Sequence, residues 1–158
     1  MAPAAADLAP AWQGPAPVLC VAGRGPLDEA ASEMLAQLLR KHGLGAAVAP
    51  YEAVSRTGIA TLDPAGVAMV CVSYLELSGS PTHLRFLLRR LRARLPGAKL
   101  LIGLWPVDDT MLGDPAVRET LGADHYATSL RDAVELCVGE AHGTATLQAV
   151  RSLSLIHI

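Results

Sequence analysis

Apolar residues in this chain follow two rhythms. Residues 17–22 (PVLCVA), 67–72 (VAMVCV) and 99–104 (KLLIGL) are apolar runs without polar alternation. Strands buried on both faces read this way, as parallel strands covered by helices do. Between the second and third run the apolar positions recur every three or four residues. Leu84, Leu87, Leu88, Leu91 and Leu95 form one stripe of an amphipathic helix. Ser80 is placed to cap that helix, Pro81 suits its first position, and Pro96-Gly97 stops it. The stretch from Val67 to Trp105 is therefore a βαβ unit, whose crossover is right-handed almost by rule.

The same reading extends along the chain. After the first strand, Gly23-Arg24-Gly25-Pro26 turns into a helix over 27–42, with Leu27, Ala30, Ala31, Met34, Leu35, Leu38 and Leu39 as its expected buried face. Asp28 and Glu29 stand in its first turn and Arg40, Lys41 and His42 in its last, as the helix dipole favours. Gly43 is suited to ending it. A short strand is expected over 46–49, an irregular, weakly helical segment over 51–59, and a short helix over 114–121 opened by Asp114-Pro115. A fifth strand falls at 124–127, and Ser129 caps a last helix reaching about Ala141.

Repeated β–α alternation predicts a three-layer α/β fold around a five-stranded, parallel, doubly wound sheet of flavodoxin-like order 2-1-3-4-5. Ligands of such sheets sit beyond the carboxyl ends of the strands where the winding reverses, here between strands one and three. The expected ligand-binding residues are Gly23, Arg24, Gly25, Ser73, Tyr74, Glu76 and Ser78, with Trp105, Thr128 and Ser129 nearby.

Residues 1–16, rich in Ala and Pro, are expected as a flexible linker, 17–142 as the domain and 143–158 as a tail. The last six residues, 153–158 (LSLIHI), resemble translated sequencing adaptor and are expected to be non-native. The linker-like start suggests that Met1 is an internal start within a longer chain.

Composition narrows the chemistry. The 158 residues carry a net charge of −2, which offers no global argument for nucleic acid. The basic residues are concentrated instead on the third predicted helix. Arg85, Arg89 and Arg92 form a stripe there, flanked by Arg90 and Arg94. Such a stripe is either a solvated face or a docking face for an acidic partner or anionic lipid headgroups. Cys20, Cys71 and Cys137 have no metal or redox spacing and read as buried free thiols of a reducing compartment. No apolar run of 18 residues is present, and no secretory signal.

Several motifs are incomplete. Gly23-x-Gly25 is followed by Asp28 where a dinucleotide fingerprint has glycine, so a plain turn competes with anion binding by Arg24 and the turn amides. Receiver-type phosphorylation lacks its carboxylates, since the third strand runs into Ser73-Tyr74. The histidines His42, His83, His125 and His142 are scattered, and no nucleophile elbow occurs. An enzyme built on Arg24 and Glu76 would need both over the switch point. No cofactor and no metal are expected.

Two resemblances add to this. The run VCVSYLELSGSPTHLRFLLRRLRARLPGAKLLIGLW, followed by LGADHYATSLRDAVELC, resembles cobalamin-binding domains. It shares a serine (Ser73) after strand three, Leu91-Arg92 and Pro96 before strand four, Gly103 at its end, and Gly122-Ala123-Asp124 before the last strand. The family's cobalt-ligating D-x-H-x-x-G motif is replaced here by Gly23-Arg24-Gly25-Pro26-Leu27-Asp28, without a histidine. The stretch PVLCVAGRGPLDEAASEMLAQLLRKHGLGA is also similar to the soluble C-terminal domain of bacterial autoinducer-2 exporter family permeases. That similarity implies a non-catalytic, cytoplasmic accessory or regulatory domain, with the membrane part of a parent permease, or an anionic lipid surface, as its partner. The parent would lie in the inner membrane. The alternative is a small-molecule or degenerate corrinoid-binding module.

Overall fold

The computed structural model describes residues 8–74, 82–104 and 121–142. Its strands are β1 (Val18–Ala22), β2 (Ala46–Ala49), β3 (Met69–Tyr74), β4 (Lys99–Leu104) and β5 (His125–Ala127). Its helices are α1 (Pro26–Lys41), α2 (Thr82–Arg94) and α3 (residues 130–142). All strand pairs are parallel, in the order β2-β1-β3-β4-β5. This is the doubly wound order expected from the β–α alternation. The proposed cap Ser80-Pro81, the helix before Leu121, and Glu76, Ser78, Trp105 and the tail 143–158 lie outside the described residues.

The sheet divides the core into two. Leu19, Val21, Val70, Val72, Leu100 and Ile102 face α2, whose Leu84, Leu87, Leu88 and Leu91 are buried as the stripe requires. On the other face Cys20, Met69, Cys71 and Leu101 meet Leu35 and Leu39 of α1 and Ala133 and Cys137 of α3. This alternation along each strand is the period-two pleat, and its two-sided burial explains the uninterrupted apolar runs of the central strands. Central strand β3 ends two residues later than its apolar run, because Ser73 and Tyr74 still pair with Ala22 and β4.

The expected face of α1 is corrected. Leu27 and Met34 are 64% and 55% exposed and Ala30 is exposed, while Asp28, Ser32 and Ala36 are buried with Ala31, Leu35 and Leu39. The stripe is turned by about one residue. The small side chains Ser32 and Ala36 let the helix approach the sheet, and Asp28 turns inward to accept the Gly25 N–H at 3.2 Å.

The expected linker is corrected as well. Leu8 and Trp12 are buried against the α1–α3 core, and the Ala9 N–H donates to the Ala141 carbonyl at 2.7 Å. Apolar side chains in an Ala/Pro-rich context decide its course from residue 8 onward.

All three cysteines are buried and free. The Cys71 and Cys137 sulfurs lie 3.6 Å apart and join β3 to α3. Contact with Cys137, then burial, hold the Cys71 thiol well above its ordinary value, and burial pushes Cys20 up to about 12. Neutral thiols of this kind act as small apolar core groups.

An ion-pair cluster closes the outer edge. Glu140 of α3 accepts from Lys99 Nζ of β4 and meets the His125 ring of β5, both at 2.9 Å. Burial alone would raise the Glu140 carboxyl, but hydrogen bonds from Lys99 and His125 outweigh it and hold the group below its ordinary value of 4.5. A depressed carboxylate contributes stability that is complete above its unfolded-state value and lost as pH falls through the folded one. Urea melts of Glu140→Gln should therefore show a weaker loss of stability than the parent chain between roughly pH 5 and pH 3. Equal pH slopes would show that the cluster contributes nothing.

Candidate functional site

The winding reverses between β1 and β3, so their carboxyl ends are where the expected site residues are to be tested. Gly23 is buried there, and its N–H donates to the Ser73 carbonyl at 2.9 Å. Tyr74 is 3% exposed and its ring lies over Gly23, where an added Cβ would stand 2.5 Å from Tyr74 Cδ2. Arg24 hydrogen-bonds the Tyr74 phenol; burial raises the phenol's pKa and Arg24 opposes this. The His83 ring, from the start of α2, contacts the Gly23 carbonyl at 3.3 Å and stands 6.4 Å from Tyr74 and 6.3 Å from Tyr51 between ring centroids.

The structure thus brings Gly23, Arg24 and Tyr74 together, but as a filled crevice. Gly25 serves as the N-cap of α1. Ser73 is fully buried on the opposite face of β3 from Tyr74, and its hydroxyl has no hydrogen-bond partner among the described residues. Thr128 and Ser129 are not brought to the crevice. They follow β5, two strand spacings or roughly 10 Å from β3. Ser129 Oγ accepts the Asp132 N–H at 3.0 Å, and Thr128 Oγ1 reaches the Asp132 carboxylate at 3.4 Å, so both serve the start of α3.

The arginine stripe is divided among different tasks. Arg90 Nε donates to the Val54 carbonyl at 3.3 Å and Arg94 Nε to the Leu62 carbonyl at 2.8 Å. These two hold the β2–β3 connection, which consists of the 3-10 turns Tyr51–Val54 and Ile59–Thr61 in place of a full helix. Arg92 donates to the Gly122 carbonyl at 2.7 Å and pairs with Asp124 at 3.3 Å. Asp124 also accepts the Leu100 N–H at 2.8 Å, so Arg92 fixes the approach to β5. Arg85 and Arg89 flank the exposed Phe86 ring, with guanidinium carbons 5.7 and 6.0 Å from its centroid.

Because two 3-10 turns cover α2 less fully than a helix would, a cleft of about 720 Å³ is left beside them. It opens near the crevice and is walled by Tyr51 and Arg56 on one side and by His83, Phe86, Arg89 and Arg90 on the other. Among the described residues no carboxylate lines it. Sequence reasoning missed this site. His83 and Tyr51 belong to segments far apart in the chain, and Arg90 was grouped with the stripe by helical spacing alone.

No group of three His, Cys, Asp or Glu side chains that could hold a metal occurs among the described residues. The described part of the crevice does not fit a corrinoid held through the loop after β1. That loop has no imidazole, and the Tyr74 ring occupies the space over Gly23.

No protein-family profile and no curated protein matches the chain. Solved structures share its fold. A cobalamin-binding protein from Desulfitobacterium hafniense DCB-2 superposes with a TM-score of 0.57 at 20% identity, over 77% of this chain and 57% of that one. A response regulator receiver protein from Pseudomonas putida gives 0.52 at 18% identity, over 78% of this chain and 95% of that one. The chain spans little more than half of the cobalamin-binding neighbour. At these identities the likeness defines a class of architecture, the flavodoxin-like doubly wound sheet, and function must be argued from the site.

Proposed function

We propose that this chain is a non-catalytic regulatory domain that senses a small molecule and serves as the cytoplasmic accessory part of an inner-membrane permease of the autoinducer-2 exporter family. The observation that carries the sensing role is the cleft beside the switch point, lined by cations and rings, with no carboxylate among its described walls. The permease assignment is supported by the resemblance of the β1–α1 stretch. Arg85, which holds no backbone carbonyl among the described residues and does not line the cleft, is the part of the stripe left for the membrane partner or anionic headgroups.

Membrane fractionation of cells expressing the parent chain tests the assignment. The parent is expected in the membrane pellet after an alkaline wash. Recovery in the soluble fraction would end the permease reading.

The degenerate corrinoid-binding module is supported by the fold shared with a cobalamin-binding neighbour. A shift of cobalamin's visible bands on adding the chain would favour it, and an unchanged spectrum removes it.

A further inference from the structure

We propose that the cleft between α2 and the 3-10 segment binds a phosphomonoester carried on a planar ring, with Arg56, Arg89 and Arg90 toward the phosphoryl oxygens and Phe86 against the ring. This deepens the sensing role and rests on it.

Charge comes first. Three guanidinium groups line one concave space, with no carboxylate among its described walls. Among the described residues, Arg56 and Arg89 have neither a hydrogen-bond acceptor nor an ion-pair partner. Like charges gathered in this way cost energy unless an anion joins them. A phosphomonoester carries about −1.5 to −2 charges at pH 7 and matches the planar forks of arginine with several oxygens, which a single carboxylate cannot do.

The body of the ligand follows from the remaining walls. Phe86 is 47% exposed, an uncommon placement for a large apolar ring, and two of the flanking groups are the rings of Tyr51 and His83. A flat partner would cover Phe86 and gain stacking that a bare phosphate would not. The volume of about 720 Å³ lies within the ~300–1,000 Å³ usual for small-molecule sites. The position also agrees: Tyr51 follows β2 and His83 opens α2, so the cleft begins at the carboxyl edge of the sheet. Arg90 is preset for its part, since its Nε is already held by the Val54 carbonyl.

The test is thermal melting and calorimetric titration of the 158-residue chain. The probes are adenosine monophosphate, uridine monophosphate, 4-nitrophenyl phosphate, adenosine and inorganic phosphate. At least one ring phosphomonoester is expected to raise the melting temperature and to bind tenfold or more tightly than adenosine or phosphate. Arg56→Gln/Arg89→Gln should weaken that binding at least tenfold with an unchanged circular dichroism spectrum, both side chains being exposed. Phe86→Ala should bring the ring phosphomonoester down toward inorganic phosphate. Absence of a response to all three phosphomonoesters at millimolar concentration overturns the proposal, as does binding that the double substitution leaves intact. Stabilisation by phosphatidylglycerol vesicles in place of these probes also overturns it and assigns the arginines to a membrane surface. Each of these failures leaves the fractionation result for the parent chain untouched, so the two readings are separable.

Discussion

Replacing Leu91 by alanine is expected to destabilise the chain by about 2–5 kcal/mol. Leu91 is fully buried at the middle of the α2 stripe, packed in the core it shares with Val70, Val72, Leu100 and Ile102. Truncation removes its transfer free energy and leaves a void that close-packed strands on one side cannot collapse to fill. For a domain of this size the loss corresponds to a fall in melting temperature of roughly 10 °C. The control is Met34→Ala on α1. Sequence periodicity puts Met34 in the core, the structure leaves it 55% exposed, and its truncation should stay within about 0.5 kcal/mol. Urea denaturation of both variants checks the pair; similar losses would mean that α1 is packed by the face expected from its periodicity.

Gly23→Ala is expected to cost about 1–3 kcal/mol by overpacking. An added Cβ would stand 2.5 Å from Tyr74 Cδ2 and 3.0 Å from the Ser73 carbonyl oxygen. The ring is 3% exposed and tied to Arg24, so it has little room to retreat. If the clash with the ring is the cause, Gly23→Ala should cost clearly less in a Tyr74→Ala background, a non-additivity of the kind seen for residues in contact. Equal costs in both backgrounds would place the conflict at the Ser73 backbone. A harmless Gly23→Ala would show the crevice to be open, and with it a route for a bulky ligand between β1 and β3.

The architecture was legible because burial on two faces leaves a coarse signature. Uninterrupted apolar runs such as VAMVCV and a leucine stripe with a proline-glycine stop survive any uncertainty of one or two residues. The α1 face was misread because alanine and serine carry little hydrophobic signal, while Leu27 and Met34 carry much. Close approach to a sheet selects for small size, which periodicity of apolar residues does not register. The segment from residue 8 to residue 12 was misread for a related reason: Pro and Ala suggested a linker, and the two large side chains Leu8 and Trp12 outweighed them.

The site was less legible. Gly23, Arg24 and Tyr74 stand at the reversal of the winding, since topology fixes the ends of β1 and β3. That Tyr74 fills the crevice could not be read from the sequence, because a strand-terminal aromatic can turn either way. The cleft was invisible for a different reason. It exists because a connection expected to be irregular settles into two short turns, and nothing local to Arg56 or Arg90 says that they will face each other across it. The arginine stripe shows the same limit. Helical spacing gathered Arg85, Arg89 and Arg92, but carbonyl groups on neighbouring segments take up Arg90, Arg92 and Arg94, and Arg85 and Arg89 flank Phe86 instead.

Those guanidinium clasps have a mechanical consequence. Residues 51–62 are held to α2 by Arg90 and Arg94, one side-chain contact to each end, and by Val54, Ile59 and Leu62, which pack into the core beneath, while no ladder of strand pairing crosses the join. Releasing the stretch would therefore cost two guanidinium clasps and the burial of a few apolar side chains, but no strand pairing.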